Sequence, residues 1–122
     1  MAGTAADDEQ EFLYLTTRGR KTGHARQIEI WFTRRGRSYY LVSEHGPRAH
    51  WVQNLLIEPR VRWRVGTARL RGRARVVRVE TAPTLVRDIQ ARSKTKYGWG
   101  TGLVVELDPG PRRPRRRPRG AT

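Results

Sequence analysis

The residues with the greatest capacity for chemistry lie between Thr16 and Arg26, in the run Thr-Thr-Arg-Gly-Arg-Lys-Thr-Gly-His-Ala-Arg. Its two glycines let the backbone come close to a ligand and can turn successive amide hydrogens toward it as an anion-binding nest. Arg20, Lys21 and Arg26 add fixed positive charge, and the guanidinium fork grips phosphate or carboxylate in a bidentate way. Thr22 adds a hydroxyl in the same loop. The chemistry on offer is recognition of an anion. A basic glycine turn can equally be a solvated connection between strands. The Walker pattern G-x-x-x-x-G-K-[ST] is absent, and no helix follows.

Other candidate groups are scattered. Ser43 has no base beside it except Glu44, which strand alternation sends to the opposite face. A hydrogen bond to a substrate is therefore a better role for it than nucleophilic attack. His24, His45 and His50 are the only histidines, and none pairs at i, i+4. With no cysteine either, a zinc site, a disulfide scaffold and a thiolate nucleophile are not expected. Trp51 can anchor a core or border a ligand, and Asn54 can satisfy backbone groups. Tyr97 can line a substrate pocket or cap a barrel.

The 122 residues carry 26 Lys+Arg against 11 Asp+Glu, a net charge of +15. Residues 109–122 hold six Arg and no acid; without them 20 basic residues still face 11 acidic ones. Two features follow. Residues 110–122 are expected to be a disordered Arg/Pro-rich tail, able to touch polyanions or a membrane surface through residues 112–119. The folded body is basic as well, and its possible partners are nucleic acid, an anionic surface or a phosphorylated small molecule. Residues 1–10 read as a flexible lead without signal-peptide character, and no apolar stretch is long enough to span a bilayer. A cytoplasmic protein is expected, with membrane-surface contact as an option.

These groups need a scaffold, and the hydrophobic pattern predicts a mainly β one over residues 11–109. Strand-like runs cover Glu11–Thr17, residues 25–34 (with Ile28, Ile30 and Phe32 on one face) and Tyr39–Ser43. Ala49–Glu58 reads as a helix ended by Pro59. Arg60–Val65 and Arg69–Val76 alternate around a Gly66-Thr67 turn. Thr81 is placed to cap a second helix with Pro83 in its first turn. Leu103–Leu107 is a last strand. About six antiparallel strands and two short helices suggest a barrel. A two-residue turn sets Arg64 against Arg69, Arg62 against Arg71 and Arg60 against Arg73. Like charges directly opposite destabilise a sheet. The arginines either splay into solvent or are neutralised by an anion or an acidic partner, for which Glu29, Glu80 and Glu106 are internal candidates.

LTTRGRKTGHAR (residues 15–26), YYLVSEHG (39–46), Trp51-Val52-Gln53-Asn54-Leu55 with Pro59, and TGLVVELDP (101–109) occur in this order. Together they resemble the deazaflavin-dependent nitroreductase family of the flavin-binding split β-barrel superfamily. The resemblance implies a split β-barrel of the α+β, mainly β class, commonly a homodimer. It implies coenzyme F(420), with FMN a less favoured ligand. It also implies hydride transfer to a small-molecule acceptor: a quinone, an enone or a nitroaromatic. Lys21 and Arg26 match residues that hold the cofactor's phosphate and acidic tail, with Arg20 and Thr22 in the same loop. Ser43 matches a serine beside the deazaflavin ring that orients or protonates substrate, and Tyr97 is the second catalytic candidate. Trp51 and Asn54 match the helix bordering the ring. Glu44 departs from the pattern, because it sets an acid close to an anionic cofactor. The alternative is a non-catalytic basic module on the same barrel, either a carrier of an anionic cofactor or a nucleic-acid binder.

Overall fold

Strict alternation on β1 (Phe12–Arg18) buries Leu13, Leu15 and Thr17 and leaves the intervening side chains half-buried. The same rule holds along β5 (Arg60–Val65), where Val61, Trp63 and Val65 are buried. These inward faces belong to one antiparallel sheet in a computed structural model that describes residues 10–110. The strand order is β2-β1-β5-β6-β7-β4-β3, with β2 Ala25–Trp31, β3 Thr33–Arg35, β4 Ser38–Ser43, β6 Ala68–Val77 and β7 Leu103–Asp108. The sheet curls into a half-barrel. Leu13, Leu15, Leu41, Trp63, Val105 and Leu107 fill its interior, and Val52 and Leu55 of helix α1 (His50–Ile57) join them. Helix α2 (Pro83–Tyr97) packs Val86 and Ile89 on the outer face against Tyr40, Val77 and Val104. Most of the expected lead (1–10) and tail (110–122) lies outside the described residues.

The β5–β6 hairpin has the expected register, with Trp63 opposite Leu70, Arg62 opposite Arg71 and Arg60 opposite Arg73. Of the three proposed internal counter-charges, Glu106 does pair, accepting from Arg75 Nε at 2.5 Å. Among the described residues neither Glu29 nor Glu80 forms an ion pair.

Two local expectations need correction. Thr81 is not the cap of α2: Ala82 holds that position, and Thr81 Oγ1 donates to the Arg78 carbonyl at 3.3 Å. The single strand read over 25–34 is two strands. β2 pairs with β1 and β3 pairs with β4, so the two halves lie on opposite edges of the sheet. The chain crosses the barrel mouth at Phe32, whose ring is buried in the core. A residue at such a corner leaves its ladder, and its backbone groups need other partners. Helix α2 supplies them. Tyr97 OH accepts from Phe32 N at 3.0 Å, and Lys96 Nζ donates to Phe32 O at 3.0 Å.

Candidate active site

The loop joining β1 to β2 closes on itself through Gly19 N to His24 O at 2.8 Å and Gly23 N to Gly19 O at 2.7 Å. Gly23 sits at φ +76°, which side chains disfavour. Thr22 Oγ1 accepts from His24 N at 3.2 Å, so this hydroxyl shapes the loop from within. Asn54 fixes the loop to helix α1. Its Oδ1 accepts from Arg20 N at 3.2 Å and Arg20 Nη1 at 2.8 Å, and its Nδ2 donates to Thr17 Oγ1 at 3.3 Å. Asn54 is buried, so these bonds form out of water and would be costly to leave unmade. Arg20 also reaches His50, with Nη2 3.3 Å from Nδ1. Arg20 is therefore a strut between loop and helix. Lys21 stands exposed on this loop and Arg26 stands exposed just past it at the start of β2, and among the described residues neither has an ion-pair partner. The four residues singled out by sequence thus divide into two that build the loop, Arg20 and Thr22, and two exposed cations, Lys21 on the loop and Arg26 at the start of β2.

A concave pocket of about 500 Å³ lies beside the start of α1, lined in part by Trp31, Ser43, Glu44, Trp51 and Trp99. Its size falls within the usual range for small-molecule sites, and its aromatic walls suit a planar ring. Ser43 is buried and donates its hydroxyl hydrogen to Gly46 O at 2.8 Å. That bond ties the end of β4 to the turn at Gly46–Arg48. Glu44 lines the same pocket as Ser43, contrary to the opposite-face expectation, because β4 ends at Ser43 and alternation stops there. Glu29 adds a second acid to the lining. Sequence reasoning missed Trp31 and Glu29 as site residues. No local signal marked them: Ile30, between the two, lines the same pocket, so alternation along the strand does not separate pocket residues from the rest. Among the described residues no cluster of three His, Asp or Glu side chains could hold a metal ion, and no helix is long and apolar enough to cross a membrane.

Tyr97 is not among the residues lining this pocket. Its ring stacks on Trp31 with centroids 4.4 Å apart, and its hydroxyl contacts backbone at Phe32 and Glu11. Burial pushes the phenol up to about 12, so it remains protonated at any working pH. The geometry makes it a clamp on the Phe32 corner rather than a group aimed at a substrate. Tyr97→Phe keeps the ring stack and strands the Phe32 amide. It is expected to lower unfolding stability by about 1–3 kcal/mol and to leave turnover nearly unchanged. Urea denaturation beside steady-state kinetics checks this; a loss of turnover at full stability would restore the catalytic role.

The sequence profile of F(420)H(2)-dependent quinone reductase matches residues 2–106. The chain belongs to this family. It is a family of enzymes, and coenzyme F(420) is the cofactor of this reductase. No curated protein gives a significant match. Several solved structures share the split-barrel fold. HutZ, the heme storage protein of Vibrio cholerae, superposes with a TM-score of 0.71 at 15% identity, covering 88% of this chain and 87% of its own. The conserved hypothetical protein Rv2991 of Mycobacterium tuberculosis gives 0.70 at 16% identity, covering 93% and 81%. An F(420) reductase gives 0.64 at 15% identity, covering 91% and 96%. At such identities the likeness is one of fold.

Proposed function

We propose that this reductase holds the ring of coenzyme F(420) in the tryptophan-lined pocket, with its phosphate and acidic tail on Lys21 and Arg26, and reduces a small quinone, enone or nitroaromatic. One observation carries the reading: a single buried residue, Asn54, ties the cationic loop to the helix that borders the pocket. Anion grip and ring site are thereby held in register, which is what a cofactor with a planar head and a charged tail requires. When bound, the reduced deazaflavin supplies the hydride. The protein's part is to bind, orient and shield. Trp51 and Trp99 offer flat walls, and the Arg20 strut keeps the loop closed over α1.

Ser43 is the residue assigned to the acceptor. Its Oγ–H engages Gly46 O, so serving an acceptor's oxygen means exchanging one hydrogen bond for another. A donor aimed where negative charge develops assists the transition state more than the ground state. The two carboxylates in the lining, Glu29 and Glu44, disfavour anionic acceptors and favour neutral ones. A homodimer is part of the proposal, and it rests on the resemblance to split-barrel proteins.

The test is stopped-flow oxidation of reduced F(420) by a panel of quinones and enones. Ser43→Ala is expected to keep cofactor affinity within about threefold and to slow acceptor reduction at least tenfold, about 1.4 kcal/mol. Tight F(420) binding by the wild type with no acceptor-dependent oxidation would leave the carrier reading in its place.

A further inference from the structure

β1 and β5 pair over Tyr14 with Arg64, Leu15 with Trp63 and Thr16 with Arg62, and the ladder stops there. Two residues further along, the same register would set Arg18 against Arg60, but the ladder does not extend to them. The strands part instead, and a cleft of about 770 Å³ opens between them. Arg18 stands on one wall, beside Gly23 of the β1–β2 loop and Ala25 at the start of β2, with Arg60, Arg62, Arg71 and Arg73 on the other; the cleft therefore adjoins the segment that carries Lys21 and Arg26. The cleft shares no lining residue with the tryptophan pocket. Their β1 linings, Phe12 and Thr16–Arg18, fall toward opposite ends of that strand, about 20 Å from end to end at roughly 3.3 Å per residue.

The charge in this cleft is compensated only in part. Its one acid, Glu58, is fully committed to Arg60, accepting from the amide at 3.1 Å, from Nε at 3.1 Å and from Nη2 at 2.9 Å. Arg62 and Arg71 face each other across the ladder, as do Arg60 and Arg73. Among the described residues, Arg18, Arg62, Arg71 and Arg73 have no ion-pair partner. Asp108 lies across from Arg73 without forming an ion pair with it, and its carboxylate accepts from the Gly110 amide. Elsewhere on the same sheet the matching is done within the chain: Arg75 is held by the buried Glu106, which also accepts from Ser38 and Tyr40.

We propose that this cleft is a second anion site, which takes a compact ligand bearing two or more phosphate groups between Arg62, Arg71 and Arg73 on one wall and Arg18 on the other. Four unmatched guanidinium groups call for three or four negative charges in a small volume. A di- or triphosphate supplies them, and each phosphate fits the guanidinium fork. A carboxylate chain carries about one charge per residue and would have to coil to match. A bilayer is flat and meets only the rim of a cleft. Thr16, on the same face of β1 as Arg18, adds a hydroxyl to the lining.

Inorganic tripolyphosphate is the probe, titrated calorimetrically into the full chain with and without saturating F(420). The expected result is binding that weakens with salt, persists in the presence of F(420), and falls at least tenfold in Arg62→Gln/Arg71→Gln. Lys21→Ala/Arg26→Ala should bind tripolyphosphate within about twofold of wild type. Without anion, the Arg62→Gln/Arg71→Gln protein should melt at or above the wild-type temperature, because a like-charge pair has been removed. If that variant melts lower, Arg73→Gln takes its place with the same tenfold expectation. The proposal fails if the arginine variants bind as tightly as wild type. It fails equally if F(420) displaces the probe, or if oligoglutamate or phosphatidylglycerol vesicles use these arginines with higher affinity than tripolyphosphate.

Discussion

Lys21→Ala/Arg26→Ala is expected to lose about 2–6 kcal/mol of coenzyme F(420) binding, roughly 30-fold to beyond 10,000-fold in Kd, with little change in stability. Each charge-assisted hydrogen bond to an anion contributes about 1–3 kcal/mol. The two are summed here as independent, which neighbouring residues on one ligand only approach. Stability should hold because both side chains are exposed and neither makes a hydrogen bond that closes the loop. Those bonds belong to Gly19, Thr22, Gly23 and His24, and the tie to α1 belongs to Arg20 and Asn54. Fluorescence titration across a salt series makes the measurement. Wild-type affinity should fall as salt rises, and the double variant should show a flatter dependence. A double variant that binds F(420) like the wild type would remove this loop from the cofactor site.

Gly72→Ala is expected to cost about 2–3 kcal/mol of stability, the upper part of the range for overpacking, and to lower Tm by about 10–20 °C for a domain of this size. A Cβ at Gly72 would come within 2.0 Å of Asp108 O and 2.8 Å of Pro109 Cα. Both obstacles are backbone, so relief requires β7 to move away from β6. Glycine inside a strand marks such a close approach of another chain segment. β6 and β7 pair from Val77 with Val104 to Arg73 with Asp108, and the far end of that ladder would yield first. Thermal unfolding measures the effect. Hydrogen exchange at Leu107 and Asp108 should accelerate more than at Val104. An unchanged Tm would mean that the β6–β7 crossing is looser than these contacts require.

Much of the scaffold was legible from local pattern. Alternation in Arg60–Val65 and the Gly66-Thr67 turn determined the hairpin register down to each arginine pair, because a one-residue slip would have turned Trp63 and Val65 to solvent. Pro59 and the four-residue apolar spacing marked helix α1. The two glycines of residues 18–26 marked a turn between strands, and four motifs in order carried the family resemblance. Each of these signals is contained within a dozen residues.

What only the tertiary structure decided are relations between distant segments. The break at Phe32 has no local signature, since Ile28, Ile30 and Phe32 alternate without interruption. The strand divides because the barrel must turn a corner there, and α2, some 65 residues on, supplies the hydrogen bonds that make the corner affordable. That same demand commits the Tyr97 hydroxyl to backbone. Arg20 looks like a ligand cation in the sequence and becomes a strut once Asn54, 34 residues away, accepts its hydrogen bonds. Glu44 joins Ser43 in one pocket because the strand ends between them. The arginine cleft, too, exists only because β1 meets β5 and then parts from it. Side-chain type and spacing determine what chemistry is available; which groups are spent on the fold and which remain free for a ligand depends on partners that the chain brings together only by folding.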